Sequence, residues 1–62
     1  MPIAHIHIIE GRTEDQKIRA IAAVTQALSE TLESPKERIR VLIHESPSTH
    51  WGIAGVPASE TR

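Results

Sequence analysis

The residue with the most chemical potential in this 62-residue chain is Pro2. A proline directly after the initiator methionine normally leads to removal of that methionine, and the chain then begins with a secondary amine. Amino termini titrate near neutrality, at about 7.7–8.0. A secondary amine is intrinsically more basic, so it needs its pKa lowered to act as a base at pH 7. Desolvation and nearby cations both act in that direction. Many chains begin Met-Pro with no catalytic use of it, so the supporting cations must be found elsewhere.

Two arginines are placed to serve. Arg12 follows Glu10-Gly11 in a turn, and Arg40 lies inside an apolar run where a charge is unexpected. A guanidinium stays charged and grips a carboxylate with two parallel hydrogen bonds. Two of them around one amine would hold a dianion and depress the amine's pKa. Each also has a plain structural reading: Arg12 as a solvated turn residue, Arg40 as an edge or interface ion pair. Trp51, the one aromatic side chain, is either a core or interface plug or an apolar wall that excludes water and keeps the amine neutral.

Other constellations are weaker. His5 and His7 form a His-x-His pair on one strand face, a pair that can ligate zinc or copper. Two ligands are too few, and His44 and His50 need not converge on them. Packing or interface hydrogen bonds are their expected role, and no metal or cofactor is expected. The spacing shows no Ser/His/Asp set, no paired carboxylates and no phosphate-binding glycine loop. Nothing in it places Glu10 or Glu45 near the amine.

The elements that must position these groups can be read from the pattern. Residues 2–9, PIAHIHII, are β-branched and apolar on both faces, as in a strand covered on both sides. Thr13-Glu14-Asp15-Gln16 is a capping box with two acids in the first turn. Ile18, Ile21, Thr25, Leu28 and Leu32 recur at helical spacing with Ala22 beside them, predicting a helix over residues 14–33. Ser34-Pro35 stops it. Residues 39–45, IRVLIHE, alternate as a second strand, with Ile39, Val41 and Ile43 on one face and Arg40, Leu42 and His44 on the other. Residues 51–56 hold two glycines around an apolar pair and predict a small hairpin, followed by a tail.

Strand, helix, strand is a βαβ unit with parallel strands. One helix cannot cover both faces of its sheet, so a partner chain is required: a dimer whose sheets join, stacked further through the uncovered faces. Length agrees, since a single domain over residues 1–62 without cysteine has oligomerisation as its remaining staple. A net charge of −1 with no basic block, and one aromatic residue, exclude a nucleic-acid binder. No apolar run is long enough for a membrane span, and the start lacks a secretory pattern, so a soluble cytoplasmic protein is the default.

Taken in order, Pro2, Glu10-Gly11-Arg12, Ile39-Arg40-Val41 and His50-Trp51-Gly52-Ile53 resemble the 4-oxalocrotonate tautomerase family over nearly the whole chain. The resemblance implies a tautomerase-like α/β fold, one β-α-β unit with a short C-terminal hairpin, in dimers that assemble into a homohexamer. It implies that Pro2 is general base and acid. Arg12 would bind the remote carboxylate of a dicarboxylate substrate and draw electrons toward it. Arg40, from a neighbouring subunit, would grip the 2-hydroxy or 2-keto oxygen and its adjacent carboxylate. Trp51 occupies the place of an aromatic residue, usually phenylalanine, that lines the site. Ile9 and Ile53 would be apolar lining, and Arg62 aligns loosely with a C-terminal arginine.

The implied substrate is 2-hydroxymuconate or a close relative from aromatic-ring degradation. Departures fall at Trp51, at Ala54 where the common pattern has glycine, and at Pro57. All three lie in the segment expected to shape the hairpin and the substrate preference. Two other readings share the scaffold: an amine-activated water, as in the superfamily's dehalogenases and hydratases, and an idle oligomer that binds dicarboxylates.

Overall fold

The computed structural model describes residues 1–60, so Arg62 lies outside the described residues. The β-branched run forms strand β1, Ile3–Ile9, and the second apolar run forms β2, Arg40–Ser46. They pair in parallel, from Ile3 opposite Arg40 to Ile9 opposite Ser46. Between them runs helix α1, Glu14–Thr31. Strands β3, Gly52–Ile53, and β4, Val56–Pro57, close an antiparallel hairpin.

The start of α1 is set by the capping box. Thr13 Oγ1 accepts from the Gln16 backbone N–H at 3.1 Å, and Gln16 Oε1 accepts from the Thr13 N–H at 3.0 Å. The helix stops two residues before the expected position. Leu32 is the C-cap and Glu33 turns into the left-handed region at φ 51°. Ser34 then ties back, its N–H to the Ser29 carbonyl and its own carbonyl to the Ser29 hydroxyl, before Pro35 ends any continuation. A 3-10 turn, Lys36–Arg38, leads into β2. Ile39, expected inside the strand, instead donates its N–H to Lys36 and closes that turn; it is the one buried apolar residue described, at 6% exposure. The expected tail is also structured. Pro57 pairs with Gly52, the Ala58 N–H donates to the Trp51 carbonyl at 2.7 Å, and residues Ala58–Glu60 form a turn.

The helix presents a different stripe from the one the spacing picks out. Lys17, Ala20, Val24 and Leu28 are sheltered, whereas Ile18, Ile21 and Leu32 are exposed at 63%, 38% and 56%. Side chains alternate along the sheet, so Ile6, Ile8 and Ile43 face α1 while Ile3, His5, His7, Leu42 and His44 occupy the other face. Ile3 and Leu42 are 55% and 40% exposed there. The chain is 42 × 24 × 14 Å, with a radius of gyration of 14.5 Å. A compact chain of this length would have about 11 Å. Its accessible surface is 4799 Å², against about 4,000 Å² for a compact monomer of this mass.

Candidate active site

The parallel register sorts the candidate residues into two groups. At one end, Pro2 leads into β1 and its carbonyl accepts the Arg40 N–H at 3.0 Å. Pro2 is half-buried beneath an exposed Met1. The Arg40 side chain leaves the uncovered sheet face, level with Ile3, and its Nη1 donates to the Glu37 carbonyl at 2.8 Å and the Ile39 carbonyl at 3.3 Å. Those bonds hold the guanidinium near the Pro2 end without neutralising it.

At the other end, β1 finishes at Ile9, opposite Ser46, and the Glu10 N–H donates to the Ser46 carbonyl at 2.9 Å. Gly11, at φ 124°, makes a turn that a side chain would strain, and Arg12 follows it just before the Thr13 cap. Arg12 lies at the edge of a hollow between α1 and the sheet, lined by Ile6, Ile8, Ile43, Ala20, Gln16 and Lys17. Among the described residues neither Arg12 nor Arg40 makes an ion pair. Both guanidinium charges are therefore available to an anion.

Pro2 and Arg12 do not meet within one chain. They flank the seven residues of β1, which at about 3.3 Å per residue separate them by roughly 23 Å. An extended arginine cannot span that distance, so an amine flanked by both arginines requires a second copy of the chain. Trp51 and Ile53 come after β2, on the hairpin. Trp51 is half-buried with its carbonyl tied to Ala58, and Ile53 is exposed at 49% opposite Val56.

The carboxylates are committed elsewhere. Lys17 pairs with Glu14 at 2.6 Å and with Glu45 at 3.0 Å, clamping the first turns of α1 to the far end of β2. The hydrogen bond and charge of Lys17 lower the Glu14 pKa, and Glu14, then Glu45, raise that of Lys17. Glu45 sits opposite Ile8, at the end of the sheet away from Pro2. The histidines hold the one convergence that the spacing did not signal. His44 stacks on both His5 and His7, and His5 Nδ1 lies 2.9 Å from His44 Nε2. The 37-residue offset that pairs Ile3 with Arg40 also sets His7 opposite His44, so a register would have revealed it. Among the described residues no group of three His, Asp or Glu side chains could hold a metal ion.

Comparison with known proteins agrees with this frame. The profile of the tautomerase enzyme family matches residues 2–60. A 2-hydroxymuconate tautomerase of Pseudomonas sp. (strain CF600) is 53% identical, covering 100% of this chain and 98% of its own length. A solved 4-oxalocrotonate tautomerase isozyme from Methylibium petroleiphilum is also 53% identical, with a TM-score of 0.90 over 94% of both chains. A heterohexamer 4-oxalocrotonate tautomerase from Chloroflexus aurantiacus J-10-fl is 32% identical, with a TM-score of 0.94 over 100% of both chains. With β1, α1 and β2 in parallel βαβ order and a C-terminal hairpin behind them, the chain belongs to the 4-oxalocrotonate tautomerase family and is an isomerase of the tautomerase type.

Proposed function

We propose that this chain, freed of Met1, is one tautomerase-like domain that moves a proton across an allylic system of a 2-hydroxy-dienoate dicarboxylate such as 2-hydroxymuconate, without a cofactor. The Pro2 nitrogen removes the hydroxyl proton and a proton is returned to carbon, so the dienol becomes the α,β-unsaturated ketone with no net change in atoms. Arg40 holds the 2-oxygen and its neighbouring carboxylate, and Arg12 holds the remote carboxylate and draws charge toward it. Ile9, Trp51 and Ile53 supply apolar lining that favours a neutral amine. A positioned base contributes about 10²–10⁴-fold. Orientation and the fixed guanidinium charges supply the remainder.

The observation that carries this reading is the placement of two guanidinium groups without ion pairs at opposite ends of the strand that Pro2 heads. Such a layout suits a dianion held at both ends once copies of the chain come together. The assembly is read as a homohexamer built from dimers, acting in the cytoplasm on products of aromatic-compound breakdown. Glu45 is held by Lys17 at the end of the sheet away from Pro2, which leaves no carboxylate beside the amine to help activate water and favours the proton shift. The test is ultraviolet-monitored ketonisation of 2-hydroxymuconate by purified chain whose intact mass lacks Met1. Rapid conversion is expected. Absence of conversion by a correctly processed, assembled chain would sink the assignment.

A further inference from the structure

We infer that the uncovered face of the β1–β2 sheet is a contact between copies of this chain that holds while its imidazole stack carries few protons, so that mild acid releases it. This rests on the assembled state described above, and adds a proton-dependent control to it. The face carries Ile3, His5, His7 and Ile9 from β1 and Arg40, Leu42, His44 and Ser46 from β2. At its centre His44 lies parallel to both neighbours, 5.1 Å from His5 at 11° and 4.7 Å from His7 at 18°.

The His5–His44 contact at 2.9 Å joins two ring nitrogens. One must donate and the other accept, so the contact exists only while at least one of the two rings is uncharged. Two protonated rings present two donors to each other and repel. The remaining titratable or charged groups on the face are His7 and Arg40, and neither compensates a positive ring. The acids nearest in the sheet do not face the stack. Glu45 points to the α1 side, where it and Glu14 pair with Lys17, and Glu10 lies beyond the end of β1. Alone in water the stack can open and accept protons freely; pressed against a second copy, it has no anion to meet and cannot be solvated. Protons therefore bind the separated chains better than the joined ones, and by linkage they pull the contact apart.

A second copy is the occupant for two reasons. The surface of 4799 Å² exceeds that of a compact monomer by about 800 Å², the area each partner contributes to a standard interface. Ile3 and Leu42, at 55% and 40% exposure, also flank the histidines with apolar surface that a parallel strand pair normally has covered.

The experiment is sedimentation velocity on the processed, full chain from pH 8 to pH 5 at constant ionic strength, with circular dichroism of the same samples to follow helix content. The native chain should assemble at pH 8 and lose assembly between pH 7 and pH 5 with its helix retained, its dissociation constant rising at least about tenfold for each proton taken up per pH unit. His44→Gln, and separately His5→Gln, should keep the assembly to at least one pH unit lower. Acid dissociation unchanged in both variants, or assembly of the native chain that persists at pH 5, would overturn the inference while leaving the assembled tautomerase intact. A native chain that is monomeric even at pH 8 would overturn the assembled state itself, and this inference with it.

Discussion

Three residues of this chain concentrate its expected chemistry, and one more carries a backbone cost. Replacing Pro2 with alanine leaves a primary amine of different basicity and shape at the head of β1. Turnover of 2-hydroxymuconate should fall by about 10²–10⁴-fold, the range for losing a positioned general base. The sedimentation profile should stay unchanged, because Pro2 contributes to the sheet through its carbonyl, which alanine keeps. Steady-state kinetics and sedimentation on the same preparation test both halves. Ala54 stands in the hairpin at φ 53°, followed by Gly55 at φ 85°. A left-handed alanine costs roughly 1–2 kcal/mol that glycine does not. Ala54→Gly should therefore raise stability by about 1 kcal/mol in urea unfolding, with a smaller gain if the hairpin is already open in the denaturation transition state.

At the scale of elements, the fold depends on how α1 begins and what it rests on. The reciprocal Thr13–Gln16 bonds fix both the first turn and the short loop that delivers Arg12. Thr13→Ala should cost about 1 kcal/mol in urea unfolding and should also weaken substrate binding, because the Arg12 loop loses its anchor. A rise in KM larger than the fall in kcat would separate that positional effect from a general loss of folded protein. The 3-10 turn before β2 ends on Ile39, the sole buried apolar side chain described. Ile39→Ala should be more damaging than any other single truncation here, by about 2–5 kcal/mol, the usual range for an aliphatic side chain cut back in a core.

For the whole molecule, the decisive fact is that one chain is a thin, open layer rather than a packed body. Its radius of gyration, 14.5 Å, exceeds the compact value of about 11 Å. Apolar side chains stand exposed on the sheet (Ile3, Leu42), the helix (Ile18, Ile21, Leu32) and the hairpin (Ile53, Val56). Stability measured at pH 8 should therefore depend on protein concentration, with the thermal midpoint rising over a hundredfold increase in chain. A midpoint independent of concentration, together with a monomer mass, would mean the open layer is stable alone. The same arrangement explains why the site spans copies: the strand that separates Pro2 from Arg12 is too long for either side chain to bridge.

Much of this was legible from residue order. The capping box located the start of α1, Ser34-Pro35 located its end to within two residues, the β-branched runs marked both strands, and the paired glycines marked the hairpin. These signals are local: each depends on a few neighbouring residues and on backbone chemistry that acts the same way in any context. What needed tertiary structure depended on contacts across the chain. The helix stripe resting on the sheet runs through Lys17, Ala20, Val24 and Leu28, because the direction from which the sheet approaches, and not the richest apolar spacing, decides what is covered. Ile39 left the strand for the core because the turn before it took its N–H. The meeting of His44 with His5 and His7, and the separation of Arg12 from Pro2, follow from a strand register that no local pattern encodes. Sequence alone determined which residues this protein has to work with and which elements carry them; register and crossing geometry decided which of them share a surface, because those are set by packing between segments far apart in the chain.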